Sequence, residues 1–195
     1  SKKMIKLKGD KSLSKRDFLR VTKPLEKFGA KFSTNNGKLP IKTIGTKYPS
    51  PIKYFENKGS AQCKSSVMFA ALNTKGTTVI KAKKSRDHTE LLFKYLKLPI
   101  QITKKKSFDL IKIKGKNKIK SFNYNIPSDI SSSSFFIVLT ALSTNSRLKI
   151  RKVNINPTRV GILKILKMMG VKIKIKNKKI YKGENIADLL IQSGK

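Results

Sequence analysis

An internal repeat constrains this chain more than any other feature of its sequence. Arg16-Asp17-Phe18, followed by Lys27-Phe28-Gly29-Ala30-Lys31-Phe32, recurs at one constant offset as Arg86-Asp87-His88, followed by Lys97-Leu98-Pro99-Ile100-Gln101-Ile102. A third copy runs from Asn156-Pro157-Thr158-Arg159 to Met169-Gly170-Val171-Lys172-Ile173. Gly29, Pro99 and Gly170 fall in the slot where a helix stops and a strand starts. The first halves of the second and third copies match as well. Ser65-Ser66-Val67-Met68-Phe69-Ala70-Ala71-Leu72 is similar to Ser133-Ser134-Phe135-Phe136-Ile137-Val138-Leu139, and a turn and a strand (Thr77–Lys81; Arg147–Lys152) follow each. One unit therefore reads strand, helix, strand, helix, strand, strand. Repetition of such a unit predicts an α/β (α+β) fold with helices layered on sheets.

Local signals agree with that reading. Strand alternation is clear at 107–114 and 171–176, and within Leu110–Lys114 and Val171–Lys176 the apolar residues alternate with lysine, which predicts strands with one wet face. Asp87-x-x-Glu90 has the form of a capping box. Asn156-Pro157 predicts an N-cap followed by proline at the first helical position. Leu91, Leu92, Tyr95 and Leu96 form one apolar stripe, and Val160, Leu163 and Leu166, with Ile162 and Ile165, form a broader one. Pro24 lies inside the first of these helices and is expected to kink or loosen it. Ser121–Pro127 is the expected crossover between two lobes. Residues 1–122 then hold the second half of one unit plus one full unit, and residues 123–195 hold a further unit.

The chain has 195 residues, with 46 Lys+Arg against 10 Asp+Glu, a net charge of +36. Such a charge suits nucleic acid, because cationic side chains displace counterions from phosphates. Arginine, the preferred reader of bases and phosphates, is confined to positions 16, 20, 86, 147, 151 and 159. The lysines are spread along strand faces, so a solvated basic surface is favoured over a dedicated nucleic-acid site, and steering of small anions fits either. The single cysteine, Cys63, and the single histidine, His88, exclude a disulfide framework and any cysteine cage or multi-histidine metal site within the chain. No apolar run approaches the length needed to span a bilayer, and no signal peptide opens the sequence. The start at Ser1 without methionine and the abrupt stop at Ser193-Gly194-Lys195 lead us to expect a piece of a longer protein.

Three segments put small polar residues at or just ahead of a helix start: Gly9–Arg16, Gly59-Ser60-Ala61-Gln62 and Ser128-Asp129-Ile130-Ser131-Ser132. Helix N-termini offer free amides and the positive end of the dipole to phosphate or carboxylate. With Lys15, Arg16, Lys64 and Arg86 added, the pattern suggests a site for a small polyanion. On spacing alone, ordinary N-capping explains the same residues better. Phosphate-loop and dinucleotide fingerprints are absent, and no carboxylate pair stands out for acid–base work. His88 reads as a surface or capping histidine, and Cys63 as a small buried side chain.

The same residues resemble a known family. Gly9-Asp10-Lys11-Ser12-Leu13-Ser14-Lys15-Arg16 with Arg20-Val21-Thr22-Lys23-Pro24-Leu25-Glu26-Lys27-Phe28-Gly29-Ala30 is similar to an interior segment of the 5-enolpyruvylshikimate-3-phosphate synthases. So, in order, are Gly59–Ser65, Ser85–Glu90, Pro127–Phe135, Asn156–Arg159 and Gly183–Leu189. The resemblance implies the two-lobed enolpyruvyl transferase fold, built from repeated βαβαββ units and incomplete here. It implies transfer of the carboxyvinyl group of phosphoenolpyruvate to the 5-hydroxyl of shikimate 3-phosphate, with release of phosphate and no metal or organic cofactor. By position it implies phosphoenolpyruvate binding at Arg16 and Gln62. It likewise implies shikimate 3-phosphate binding at Ser60, Ala61, Gln62 and Arg86. The family's Gly-rich loop and its catalytic Asp and Glu have no counterpart here, so the chain alone is expected to be inactive. A monomeric whole protein in the cytoplasm, with small anionic partners and neither a specific nucleic acid nor a membrane, completes the expectation. The alternatives are the sister carboxyvinyl transferase acting on UDP-N-acetylglucosamine and a basic nucleic-acid-binding module.

Overall fold

A computed structural model describes residues 3–116 and 119–193; the ends of the chain noted above lie partly outside the described residues. The chain divides into two compact units. One comprises the chain up to Ser85 together with Leu96–Ile119, and the other Arg86–Tyr95 together with the chain from Lys120 onward.

The first unit opens with β1 (Met4–Leu7) and a 3-10 turn (Leu13–Lys15). Then come α1 (Leu19–Glu26), β2 (Lys31–Asn35) and β3 (Lys38–Ile44). These strands form a sheet in the order β1-β3-β2, antiparallel throughout. A two-residue turn joins β2 to β3. Asn36 and Gly37 both have positive φ, 48° and 78°, the geometry that matches the twist of a hairpin. The unit continues with β4 (Lys53–Glu56), α2 (Ala61–Leu72), β5 (Thr77–Lys83), β6 (Ile100–Lys104) and β7 (Phe108–Lys114). Its second sheet has the order β4-β5-β7-β6, with β4 parallel to β5 and the other pairs antiparallel. Ile80, Ala82, Ile111 and Ile113 are buried on this sheet, and their lysine neighbours Lys81, Lys83, Lys112 and Lys114 are exposed. The period of two in the sequence is thus the pleat of the strand. Val67, Met68, Ala71 and Leu72 of α2 are buried, and α2 packs on β5 and β7 as well as on α1.

The second unit holds α3 (His88–Tyr95), α4 (Ile130–Leu142), β8 (Arg147–Asn154), α5 (Gly161–Met168), β9 (Lys172–Tyr181) and β10 (Glu184–Gln192). Its sheet order is β8-β10-β9. A single parallel bridge from Ser128 to Val153 stands where β4 flanks β5 in the first unit. All three sheets therefore share one order, in which the second strand of the repeat neighbours the fourth and the fourth neighbours the third. In the third copy the first strand has shrunk to one residue. Ile130 and Ile137 of α4, Leu163 and Leu166 of α5, and Val153, Ile173, Leu189 and Ile191 of the sheet make the core.

Two local expectations need correction. Asn156 does not cap a helix beginning at Pro157; α5 starts at Gly161, with Val160 in the capping position. The buried Asn156 side chain instead accepts from the Thr158 amide and hydroxyl, at 2.8 and 2.7 Å, so it closes a tight turn before the helix. The helix-stop slot also differs in the second copy. Gly29 and Gly170 have φ of 98° and 88°, but the left-handed residue that follows α3 is Lys97, φ 54°, not the position of Pro99. Proline cannot adopt positive φ, so the turn moves to an earlier residue. Pro24 is tolerated inside the eight-residue α1, where it is buried and the helix ends two residues later.

Candidate functional site

Ser60 is the N-cap of α2: its backbone is extended (φ −89°, ψ 109°) and its Oγ accepts from the Cys63 amide at 3.3 Å. That bond serves the third amide of the helix, and helix geometry leaves the Ala61 and Gln62 amides without an intrahelical acceptor. Ala61 and Ser60 are half-buried, and Gln62 is exposed. The result is a short run of main-chain donors with an amide side chain beside them, at the positive end of a twelve-residue helix.

Arg16 reaches this unit by a different route. It ends the 3-10 turn, where its amide donates to the Leu13 carbonyl, and its extended backbone (φ −77°, ψ 148°) leads into α1. The Asp17 carboxylate accepts from the Leu19 amide at 2.7 Å and supports the first turn of α1. Arg20, in that turn, donates from Nη2 to the Gln62 Oε1 at 3.2 Å. The starts of α1 and α2 are therefore tied side chain to side chain, with Arg16 exposed on the segment just before α1. Sequence reasoning placed Arg20 in a family motif without giving it a role. No periodicity links positions 20 and 62; only the packing of α1 on α2 does.

Arg86 is exposed on the segment before α3 and clusters with the second unit. Lys64, grouped with the cationic candidates in the sequence, is almost wholly buried at 1% exposure, because it lies on the inward side of α2 with Cys63, Val67 and Met68. Cys63 is buried, as its sequence context suggests.

The second unit carries a polar cluster that sequence reasoning missed. His88, the first residue of α3, faces the Glu184 carboxylate, Nδ1 to Oε1 2.5 Å. Asn156 Nδ2 donates to Asp87 Oδ1 at 2.8 Å and to Glu184 Oε2 at 3.4 Å. Burial alone would push the Glu184 carboxyl up. Hydrogen bonds from His88, Asn154 and Asn156, with the His88 charge, outweigh it and hold the group below the ordinary glutamate range. His88 and Glu184 also border a recess of about 360 Å³ lined by Leu92, Phe122, Tyr124 and Lys182. Nothing in the sequence pairs positions 88 and 184, beyond their presence in two motifs of the resemblance. At the start of α4, Asp129 accepts from the Ser132 amide at 3.0 Å and meets Arg159 Nη2 at 2.9 Å. Burial would raise this carboxyl, but Ser132 and Arg159 bring it below its usual value.

The described residues thus offer, around the start of α2, main-chain donors and positive charge. Arrangements of that kind suit oxyanions. Comparison with known proteins bears on which ones. The profile of EPSP synthase (3-phosphoshikimate 1-carboxyvinyltransferase) matches residues 1–191. The chain belongs to the EPSP synthase family. It is 46% identical over 188 residues to the 3-phosphoshikimate 1-carboxyvinyltransferase of Petrotoga mobilis, covering 95% of this chain and 43% of that protein. The enzyme of the same name from Legionella pneumophila (strain Corby) is 41% identical over 187 residues, again 95% of this chain and 42% of the relative. Among solved structures, EPSP synthase from Acinetobacter baumannii superposes with a TM-score of 0.79 at 34% identity, over 98% of this chain and 43% of that one. The repeated unit read from the sequence is therefore the EPSP synthase fold, and the chain spans about two-fifths of the length of the relatives it matches. No helix among the described residues is long and apolar enough to cross a membrane.

Proposed function

We propose that this chain supplies part of the substrate cradle of a 3-phosphoshikimate 1-carboxyvinyltransferase. In that reaction the 5-hydroxyl of shikimate 3-phosphate gains the carboxyvinyl group of phosphoenolpyruvate, and inorganic phosphate leaves. Ser60, Ala61 and Gln62 hold shikimate 3-phosphate through the helix-start amides and the Ser60 hydroxyl. Arg16, with Gln62, holds phosphoenolpyruvate, and Arg86 adds a contact to shikimate 3-phosphate. By the family resemblance, residues 1–122 are assigned to one lobe and 123–195 to the other, although Arg86–Tyr95 clusters with the second compact unit. The whole protein acts as a cytoplasmic monomer on small anionic metabolites, and the chain alone binds without turning over.

The observation that carries this reading is the tie between the starts of α1 and α2, Arg20 to Gln62, beside the capping Ser60. It places cationic and main-chain donors together, where both substrates are multiply charged anions. The test is a calorimetric titration of the chain with shikimate 3-phosphate in wild-type, Gln62→Ala and Ser60→Ala forms, beside a phosphate-release assay with both substrates. We expect saturable binding that each substitution weakens about tenfold, and no turnover. Binding insensitive to both substitutions, or phosphate release by the chain alone, contradicts the proposal. A +36 chain also attracts duplex DNA, so a salt series with duplex is the control.

A further inference from the structure

We propose that Arg20 is a positioning residue that fixes which end of the Gln62 amide faces the ligand. The inference rests on the reading that Gln62 meets the anionic substrates. A glutamine side chain has nearly the same shape either way round, and its last torsion is broad and two-fold, so packing alone does not choose between its carbonyl and its NH2. For an oxyanion the two ends are opposite: the NH2 donates, whereas the carbonyl repels. The choice therefore needs a neighbour that can only donate.

Arg20 is such a neighbour. Its guanidinium has five N–H groups and no acceptor. Nη2 donates to Oε1 of Gln62 at 3.2 Å, which occupies the carbonyl end and leaves the NH2 as the end that a ligand at the start of α2 would meet. The orientation follows from the chemistry of the pair, not from a choice between two similar atoms. The geometry is preset by the backbone. Arg20 sits in the first turn of α1, that turn is held by Asp17 at the Leu19 amide (2.7 Å), and α1 packs along α2. Lysine could not replace it. An ammonium on a flexible stem is a point charge without the planar fork that lies along the amide and holds it one way round.

The experiment uses the 195-residue chain, uniformly labelled with nitrogen-15, with shikimate 3-phosphate as the probe. Gln62→Ala assigns the side-chain NH2 pair of Gln62. We expect that pair to be well dispersed in the wild type and to collapse to averaged shifts in both Arg20→Ala and Arg20→Lys, before any ligand is added. Affinity for shikimate 3-phosphate should fall about fivefold to tenfold in Arg20→Ala and in Gln62→Ala, and the double variant should be no weaker than Gln62→Ala by more than about twofold. Arg20→Lys, which keeps the charge, should not rescue. Three results overturn the proposal: an unchanged Gln62 NH2 pair in Arg20→Ala, independent losses that multiply in the double variant, or full rescue by lysine. Wild-type binding indifferent to Gln62→Ala, or absent, instead defeats the reading of the site, and the ligand-free NH2 pair still decides whether Arg20 orients Gln62.

Discussion

Helices α2 and α4 begin alike and end up in different surroundings. Both are capped by a side-chain oxygen that accepts from the third amide, Ser60 from Cys63 and Asp129 from Ser132. Their sequences align as repeats. Yet α2 buries Val67, Met68, Ala71 and Leu72 in the first unit, whereas α4 buries only Ile130, Ser133, Ile137 and Thr140 in the second. The face that α4 turns outward is the more apolar one: Phe135, Phe136, Leu139 and Leu142 are 78, 61, 62 and 81% exposed. Met168 and Met169, at the end of α5, are exposed too. Helix-forming sequence and helix capping are therefore properties of the repeat. What a helix packs against is a property of its neighbours, and α1 gives α2 a neighbour within its own unit.

The contrast can be broken or sharpened by substitution. The largest effect is expected at Gly115, where an added Cβ would lie 1.9 Å from the Thr74 carbonyl oxygen and 2.2 Å from that of Ala71. Backbone at the end of α2 cannot yield cheaply, so Gly115→Ala should destabilise the first unit by about 3 kcal/mol or more in urea unfolding. An unfolding curve within error of the wild type would show that the close approach there is dispensable. Within α4, Ile137→Ala should cost about 2–4 kcal/mol, and Phe135→Ala, two residues earlier on the outer face, under about 1 kcal/mol. Equal losses would mean that the outer face is packed after all. Ser60→Ala and Asp129→Ala should each cost about 1 kcal/mol, which would make the two caps equivalent while the faces differ.

Acid supplies a smaller test of the second unit. Glu184 and Asp129 both sit below their ordinary carboxyl range in the folded protein. Their stabilising contribution is therefore complete above the unfolded carboxylate range, near about pH 4, and is lost as pH falls through the lower folded values. Thermal midpoints measured from about pH 6 down to pH 3 should fall for the wild type and fall less steeply in His88→Ala, which removes the partner that lowers Glu184. Parallel profiles for the two would sink the assignment.

The sequence announced the repeat, the strand faces and the caps because each is a local pattern: period two for Ile111 and Ile113, a polar residue before an apolar run for Ser60 and Asp129. Gln62, Ser60 and Ala61 were legible as a group because three consecutive residues share a helix start. Arg20 and Glu184 were not. Each meets its partner across a gap of forty or more positions, Gln62 in one case and His88 in the other. Contacts of that kind depend on how helices pack and strands register, which no short window records. Asn156 was misplaced for a related reason. Asparagine before proline suits a helix cap and a tight turn equally, and the choice fell to its buried bonds with Asp87 and Glu184.

The single bridge at Ser128 has a consequence for handling the protein at high concentration. Among the described residues, β8 pairs with β10 on one side and has only that bridge on the other, so most of its outer rim is a ready seat for another polypeptide's backbone. Arg147, Lys149, Arg151 and Lys152 stand exposed along that strand. Two molecules approaching rim to rim would bring like charge against like charge before any main-chain bond could form. The surplus of lysine and arginine that first suggested a nucleic-acid binder thus also guards an open flank, and high salt, which screens that repulsion, is the condition under which the guard would drop.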